Sequence, residues 1–117
     1  MTQARKNRGS AACGCESRRP SRRAAKVDPE IKSSNLIRLR RIEGQVRGIA
    51  RMVDEERYCA DILVQTSSVQ QALRAVERAL MRNHLRHCAS QAIRKGDPDV
   101  AEAMYDELMK LYYKQER

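Results

Sequence analysis

Residues 59–96, CADILVQTSSVQQALRAVERALMRNHLRHCASQAIRKG, decide the fold. Ile62, Val69, Leu73, Val76, Leu80 and Leu85 recur in them with helical periodicity, laying an apolar stripe along one rod. The stretch ends on Arg94-Lys95-Gly96, cations in the last turn followed by a glycine to close it. Roughly 35 residues rising 1.5 Å each make a rod of about 50 Å. One small chain has too little mass to cover such a face, so the rod calls for a partner.

Upstream, Asp28-Pro29-Glu30 reads as a helix start: a capping side chain, a proline at the first helical position and an acid at the positive end. Leu36, Leu39, Ile42, Val46, Ile49 and Val53 then form a second stripe, predicting a helix to about Glu56. Gly44 and Gly48 interrupt it, each at about 1 kcal/mol against alanine, and a close helix or DNA approach would account for them. Only a change in stripe phase marks the turn near Arg57-Tyr58. Downstream, Asp97-Pro98-Asp99 repeats the helix start, and a short third helix carries Val100, Met104, Leu108 and Leu111 to about Tyr113. The expected fold is all-α: a three-helix protomer whose helical hairpin dimerises into an antiparallel four-helix bundle.

Composition agrees with helix-on-helix packing. The chain has 117 residues, no Trp, no Phe and four Tyr, so Leu, Ile, Val, Ala and Met must build its core. A net charge of +9 favours polyanionic partners, nucleic acid first. Residues 1–30 hold eight Lys or Arg against three acids; residues 1–27 read as a disordered basic arm and 28–117 as the helical domain. No run is long enough to span a membrane and no signal peptide is evident, which points to the cytoplasm and to reduced cysteines.

His84 and Cys88 lie four residues apart on the second helix and therefore share a face. Cys59 lies 25 residues before His84, close to 40 Å along one helix. A single protomer cannot close that gap, but in an antiparallel dimer Cys59 of one chain can meet His84 and Cys88 of the other. Two thiolates and an imidazole make a soft three-coordinate set that suits Cu(I), whereas Zn(II) wants a fourth ligand. Spacing alone equally allows cysteines that merely pack in the bundle. Projected around an α-helix, His87 falls on the outside. Cys13-Gly-Cys15 is a further soft pair, within the arm.

The run Leu39-Arg40-Arg41-Ile42-Glu43-Gly44-Gln45-Val46-Arg47-Gly48-Ile49, then Tyr58-Cys59, then Asn83-His84-Leu85-Arg86-His87-Cys88, resembles the copper-sensitive operon repressor (CsoR) family in order and spacing, across about residues 32–113. That resemblance implies a dimer-of-dimers tetramer with Cu(I) held across each dimer interface. It implies a repressor that binds operator double-stranded DNA when metal-free and leaves it on binding Cu(I), controlling copper-efflux genes. The family's Cys-His-Cys ligands fall on Cys59, His84 and Cys88, its supporting tyrosine on Tyr58 and its supporting glutamate on Glu107. A supporting shell of this kind orients a ligating imidazole through its other nitrogen.

Relatives with other inducers differ at these positions. Nickel and cobalt sensors add histidines, persulfide sensors lack the histidine, and the formaldehyde sensor has an N-terminal proline where this chain has Thr2. The family pattern places DNA against the first helix and part of the second, which draws attention to Arg38, Arg41, Arg74 and Arg78. Solvated faces or intrahelical pairs (Arg47 with Glu43, Arg51 with Glu55) are the competing use of such arginines. A nickel- or thiol-responsive repressor and a copper-buffering protein working through Cys13 and Cys15 are the alternatives. No acid–base or nucleophile constellation suggests an enzyme.

Overall fold

The computed structural model describes residues 22–115; most of the expected basic arm, with Cys13 and Cys15, lies outside the described residues. Among the described residues every regular element is helical. Helix α1 spans Pro29–Asp54 and α2 spans Cys59–Asn83. A π-helical segment, His84–Ala89, carries α2 on into the short α3, Ser90–Arg94. Helix α4, Pro98–Gln115, is the third helix of the sequence reading.

Helix α1 starts as the sequence requires, with Pro29 in its first turn, Glu30 beside it and the Asp28 carbonyl accepting from Lys32 N–H at 3.0 Å. The Asp28 side chain makes no capping bond. Its carboxylate is used elsewhere. At the other end, Arg57 N–H donates to the Met52 carbonyl at 2.9 Å and Glu56 N–H to that of Val53 at 3.1 Å. These are the paired bonds of a Schellman closure, which needs a left-handed residue, usually glycine. Here that residue is Glu56, at φ 53°. Because an acid occupies the position, composition gave no sign of the turn.

The second closure uses Gly96 at φ 73°. A Cβ built on Gly96 meets nothing within 4 Å, so only the backbone conformation resists substitution. Gly96→Ala should therefore cost about 1–2 kcal/mol, read as a lowered midpoint in thermal denaturation at fixed chain concentration.

The hairpin core is small. Ile42, Val69 and Val76 are buried, with Ile49 and Ala72 packed against them. Each helix contributes a row at seven-residue spacing: Asn35, Ile42 and Ile49 on α1; Val69, Val76 and Asn83 on α2. Both rows end on a buried asparagine. The rest of the predicted stripes stays open: Leu36, Leu39, Val46 and Val53 on α1, and Leu73 and Leu80 on α2, are all exposed. So much apolar surface on two adjoining helices marks an interaction face. Gly44 and Gly48 have no neighbour within 4 Å, so no close approach inside the chain calls for them.

Candidate metal centre

His84 and Cys88 both fall in the π-helical segment, not on the regular α-helix expected from their spacing. Hydrogen bonds from i to i+5 widen the turn, and such π turns recur at functional sites. Both side chains are half-buried. His84 Nε2 is buried and lacks a hydrogen-bond partner. It faces Glu107 of α4, whose Oε2 stands 3.8 Å away. An unpaired buried polar atom costs about 1–3 kcal/mol, and a closure of under about 1 Å would bring this pair to hydrogen-bond distance. Nδ1 is the ring nitrogen left to serve as a donor to metal.

Cys59 is the first residue of α2 and is exposed; Cys88 is the other free cysteine among the described residues. At 29 positions apart the two stand about 44 Å from each other along the rod. Tyr58 stays with Cys59 at the far end, its side chain exposed and its carbonyl accepting from Asp61 N–H at 3.1 Å. Among the described residues of one chain, no three His, Cys, Asp or Glu side chains gather to hold an ion. The chain thus lines one cavity with His84, Cys88 and Glu107, without closing them into an ion-holding cluster, and leaves Tyr58 and Cys59 apart from it. As donors, a thiol and the Nδ1 of an imidazole, such as Cys88 and His84 offer, fit a soft monovalent ion.

Residues 22–28 cross this end of the molecule as a strap. Asn83 Nδ2–H donates to the Lys26 carbonyl at 2.9 Å, and Asp28 N–H donates to Asn83 Oδ1 at 3.0 Å. His87 Nε2–H donates to Asp28 Oδ1 at 2.9 Å, with Arg86 3.8 Å from the other carboxylate oxygen. Arg22 stands 3.8 Å from Glu107. The cavity beneath the strap is lined by Arg22, Ala25, His84, Cys88, Met104 and Glu107, among others.

His87 is therefore not the surface residue that projection around an α-helix suggested. Sequence reasoning also missed Asn83 and the second use of Asp28. One signal was present for Asn83: it lies seven residues after Val76, a polar side chain at a core position.

Arg38 and Arg41 on α1 and Arg74 and Arg78 on α2 are all exposed, and none forms an ion pair among the described residues. The intrahelical pairing expected of their neighbours is half realised. Arg47 meets Glu43 at 2.6 Å, whereas Glu55 turns to Arg57 at 3.9 Å, away from Arg51.

Residues 31–114 match the family model described as metal-sensitive transcriptional repressor. The copper-sensing transcriptional repressor RicR of Mycobacterium tuberculosis is 56% identical over 61 residues, 52% of this chain and 64% of that protein. The copper-sensing transcriptional repressor CsoR of Bacillus subtilis is 55% identical over 64 residues, 55% of this chain and 63% of that protein. The matched stretch thus spans just under two thirds of either relative. In three dimensions the chain is similar to the copper-sensing repressor CsoR with Cu(I) from Geobacillus thermodenitrificans. That likeness has a TM-score of 0.69 at 42% identity and covers 79% of this chain and 93% of the other.

Proposed function

The chain belongs to the metal-sensitive transcriptional repressor family, and on that premise we propose that it is a Cu(I)-responsive repressor that leaves operator DNA when Cu(I) binds. Its role is regulatory, with no catalysed reaction. The observation that carries the metal assignment is the half-site at the π turn: Cys88, and His84 with Nε2 buried, unpaired and aimed at Glu107.

The remaining ligand is Cys59 of a second chain. The long separation along the rod and the open apolar stripes of α1 and α2 both support antiparallel pairing, and two such dimers make the working tetramer. Cu(I) supplies a soft cation that two thiolates and an imidazole can share without a fourth ligand. His84 would hold it through Nδ1, and Glu107, now 3.8 Å from Nε2, would then accept Nε2–H, fixing the ring and tying α4 to the site. Tyr58 enters beside the partner's thiolate. Arg38, Arg41, Arg74 and Arg78 meet the DNA backbone, and the protein works in the cytoplasm; among the described residues no helix is long and apolar enough to cross a membrane.

The copper-sensing repressors among its relatives favour Cu(I) over nickel, and so does the composition of the strap: Arg22, Arg23, Ala24 and Ala25 bring no extra imidazole to the cavity. The test is an anaerobic titration of the full chain on a DNA duplex that the chain has selected from a random pool. Cu(I) should weaken binding by roughly 5–150-fold, the usual range of such coupling, while Ni(II), Zn(II) and a persulfide donor leave it within about twofold. Release by Ni(II) or persulfide in place of Cu(I) would overturn the metal assignment.

A further inference from the structure

The strap bonds to the residues that stand next to the candidate ligands. Asn83 directly precedes His84, and His87 directly precedes Cys88. Asn83 is 5% exposed, and strap backbone takes up both ends of its amide: Nδ2–H donates to the Lys26 carbonyl and Oδ1 accepts from Asp28 N–H. The Asp28 carboxylate adds a second grip, accepting from His87 Nε2–H at 2.9 Å, with Arg86 3.8 Å from its other oxygen. Asn83, Arg86 and His87 are thereby held to the strap, while His84 and Cys88 line the cavity.

The bond between Asp28 and His87 differs in kind from the surface pairs of α1. Its two side chains are 25% and 20% exposed, against 62% and 75% for Glu43 and Arg47. A carboxylate accepting an N–H away from bulk water makes a charge-assisted bond with little competition from solvent, whereas an exposed pair contributes little. Its position matters because π turns are rare and survive mostly as single turns at functional sites. Contacts outside the turn must therefore favour it over the α-helix on either side. The chain turns less per residue there, so the angle between His84 and Cys88 departs from that of an α-helical i, i+4 pair. Whatever holds the wide turn sets how imidazole and thiol face one another. All of these bonds form inside one chain, between groups it already buries or half-buries, and none depends on a face left open for a partner.

We propose, on the Cu(I) reading above, that Asp28 is a positioning residue for the metal. Its carboxylate holds His87 while its backbone N–H holds Asn83, and together they fix the π turn with His84 and Cys88 set for Cu(I). Where Glu107 would orient the His84 ring, Asp28 orients the backbone that carries it. The start of α1 thus becomes part of the metal site, through a residue outside the ligands and their supporting tyrosine and glutamate.

The test reads Cu(I) affinity of the full chain, without DNA, by anaerobic competition with a chromophoric Cu(I) chelator. X-ray absorption at the copper edge reads the coordination number. Partners beyond the ligands typically contribute about 10–100-fold to metal affinity. Asp28→Ala should lose roughly 10-fold and leave part of the copper two-coordinate between thiolates, as His84 drops out. Asp28→Asn keeps an oxygen to accept His87 Nε2–H and should restore three-coordination and most of the affinity, which a merely structural role for the charge would not predict. His87→Ala should match Asp28→Ala, and the double variant should be no weaker than either, because all three remove one bond. The Asp28 side chain makes no capping bond to α1, so helical circular dichroism should hold; His87→Ala carries the test if Asp28→Ala does not fold. Affinity within about twofold of wild type and three-coordinate copper in the single variants overturn the proposal and leave the Cu(I) reading standing. Losses that multiply in the double variant, or that Asp28→Asn does not restore, overturn it as well. A wild-type chain that binds no Cu(I) overturns the Cu(I) reading, and the positioning role falls with it.

Discussion

A chain carrying Cys59→Ser should bind the selected duplex as tightly as wild type and should not leave it when Cu(I) is added. The coupling factor, expected at roughly 5–150 in wild type, falls to about 1. The reason is spatial. Cys59 stands alone at the start of α2, exposed, about 44 Å along the rod from Cys88, so its loss disturbs no packing while removing one thiolate from the site of a partner chain. An equal mixture of Cys59→Ser and Cys88→Ser chains sharpens the test. Heterodimers in that mixture hold one complete ligand set and one with neither cysteine, so part of the Cu(I) response returns. A site closed within a single chain would give no recovery, and full Cu(I) release by Cys59→Ser alone would remove Cys59 from the ligands.

Ile42→Ala should produce the largest loss of stability. Ile42 lies in the only buried apolar cluster of the described hairpin, against Val69 and Val76. Truncating a buried isoleucine costs about 2–5 kcal/mol in transfer and cavity terms. Domains of this size are stable by about 5–15 kcal/mol, so one side chain accounts for a large share. Chemical denaturation at one fixed chain concentration reads the loss, since association stabilises the folded form by mass action. A loss below about 1 kcal/mol would mean that contacts between chains, and not this cluster, hold the hairpin together.

Much of this architecture could be read from residue order because the governing interactions are local. Pro29 and Gly96 mark helix ends through fixed dihedral preferences, and the two apolar stripes mark which faces pair. The turn after α1 was less legible because Glu56 adopts a backbone conformation that its residue type disfavours. It is held there by the hydrogen bonds of Glu56 and Arg57. His87 was assigned to the surface because an α-helical projection was carried through a stretch that is not α-helical. The strap was invisible for a different reason: its bonds join residues 55 to 59 apart in sequence, and no local pattern announces such a contact. At the candidate site, the proximity of Glu107 to His84 was expected only through family resemblance; nothing in the spacing of the two residues requires it.

The π-helical segment is, in effect, a frameshift written into the backbone. A wheel drawn from Cys59 with one constant angle per residue is in phase only as far as Asn83; beyond His84 every residue sits about one place later than such a wheel assigns. Ala89, at 2% exposure, is the most deeply buried residue of the segment. The phase of α3 and the direction in which Gly96 launches α4 are both set on the far side of that shift. Removing one residue within the segment would restore the regular period and, because the wide turn already absorbs one residue, leave everything downstream near its present direction. A one-residue gap in an alignment across this stretch is therefore no sign that α4 is aimed differently or that Glu107 has left His84.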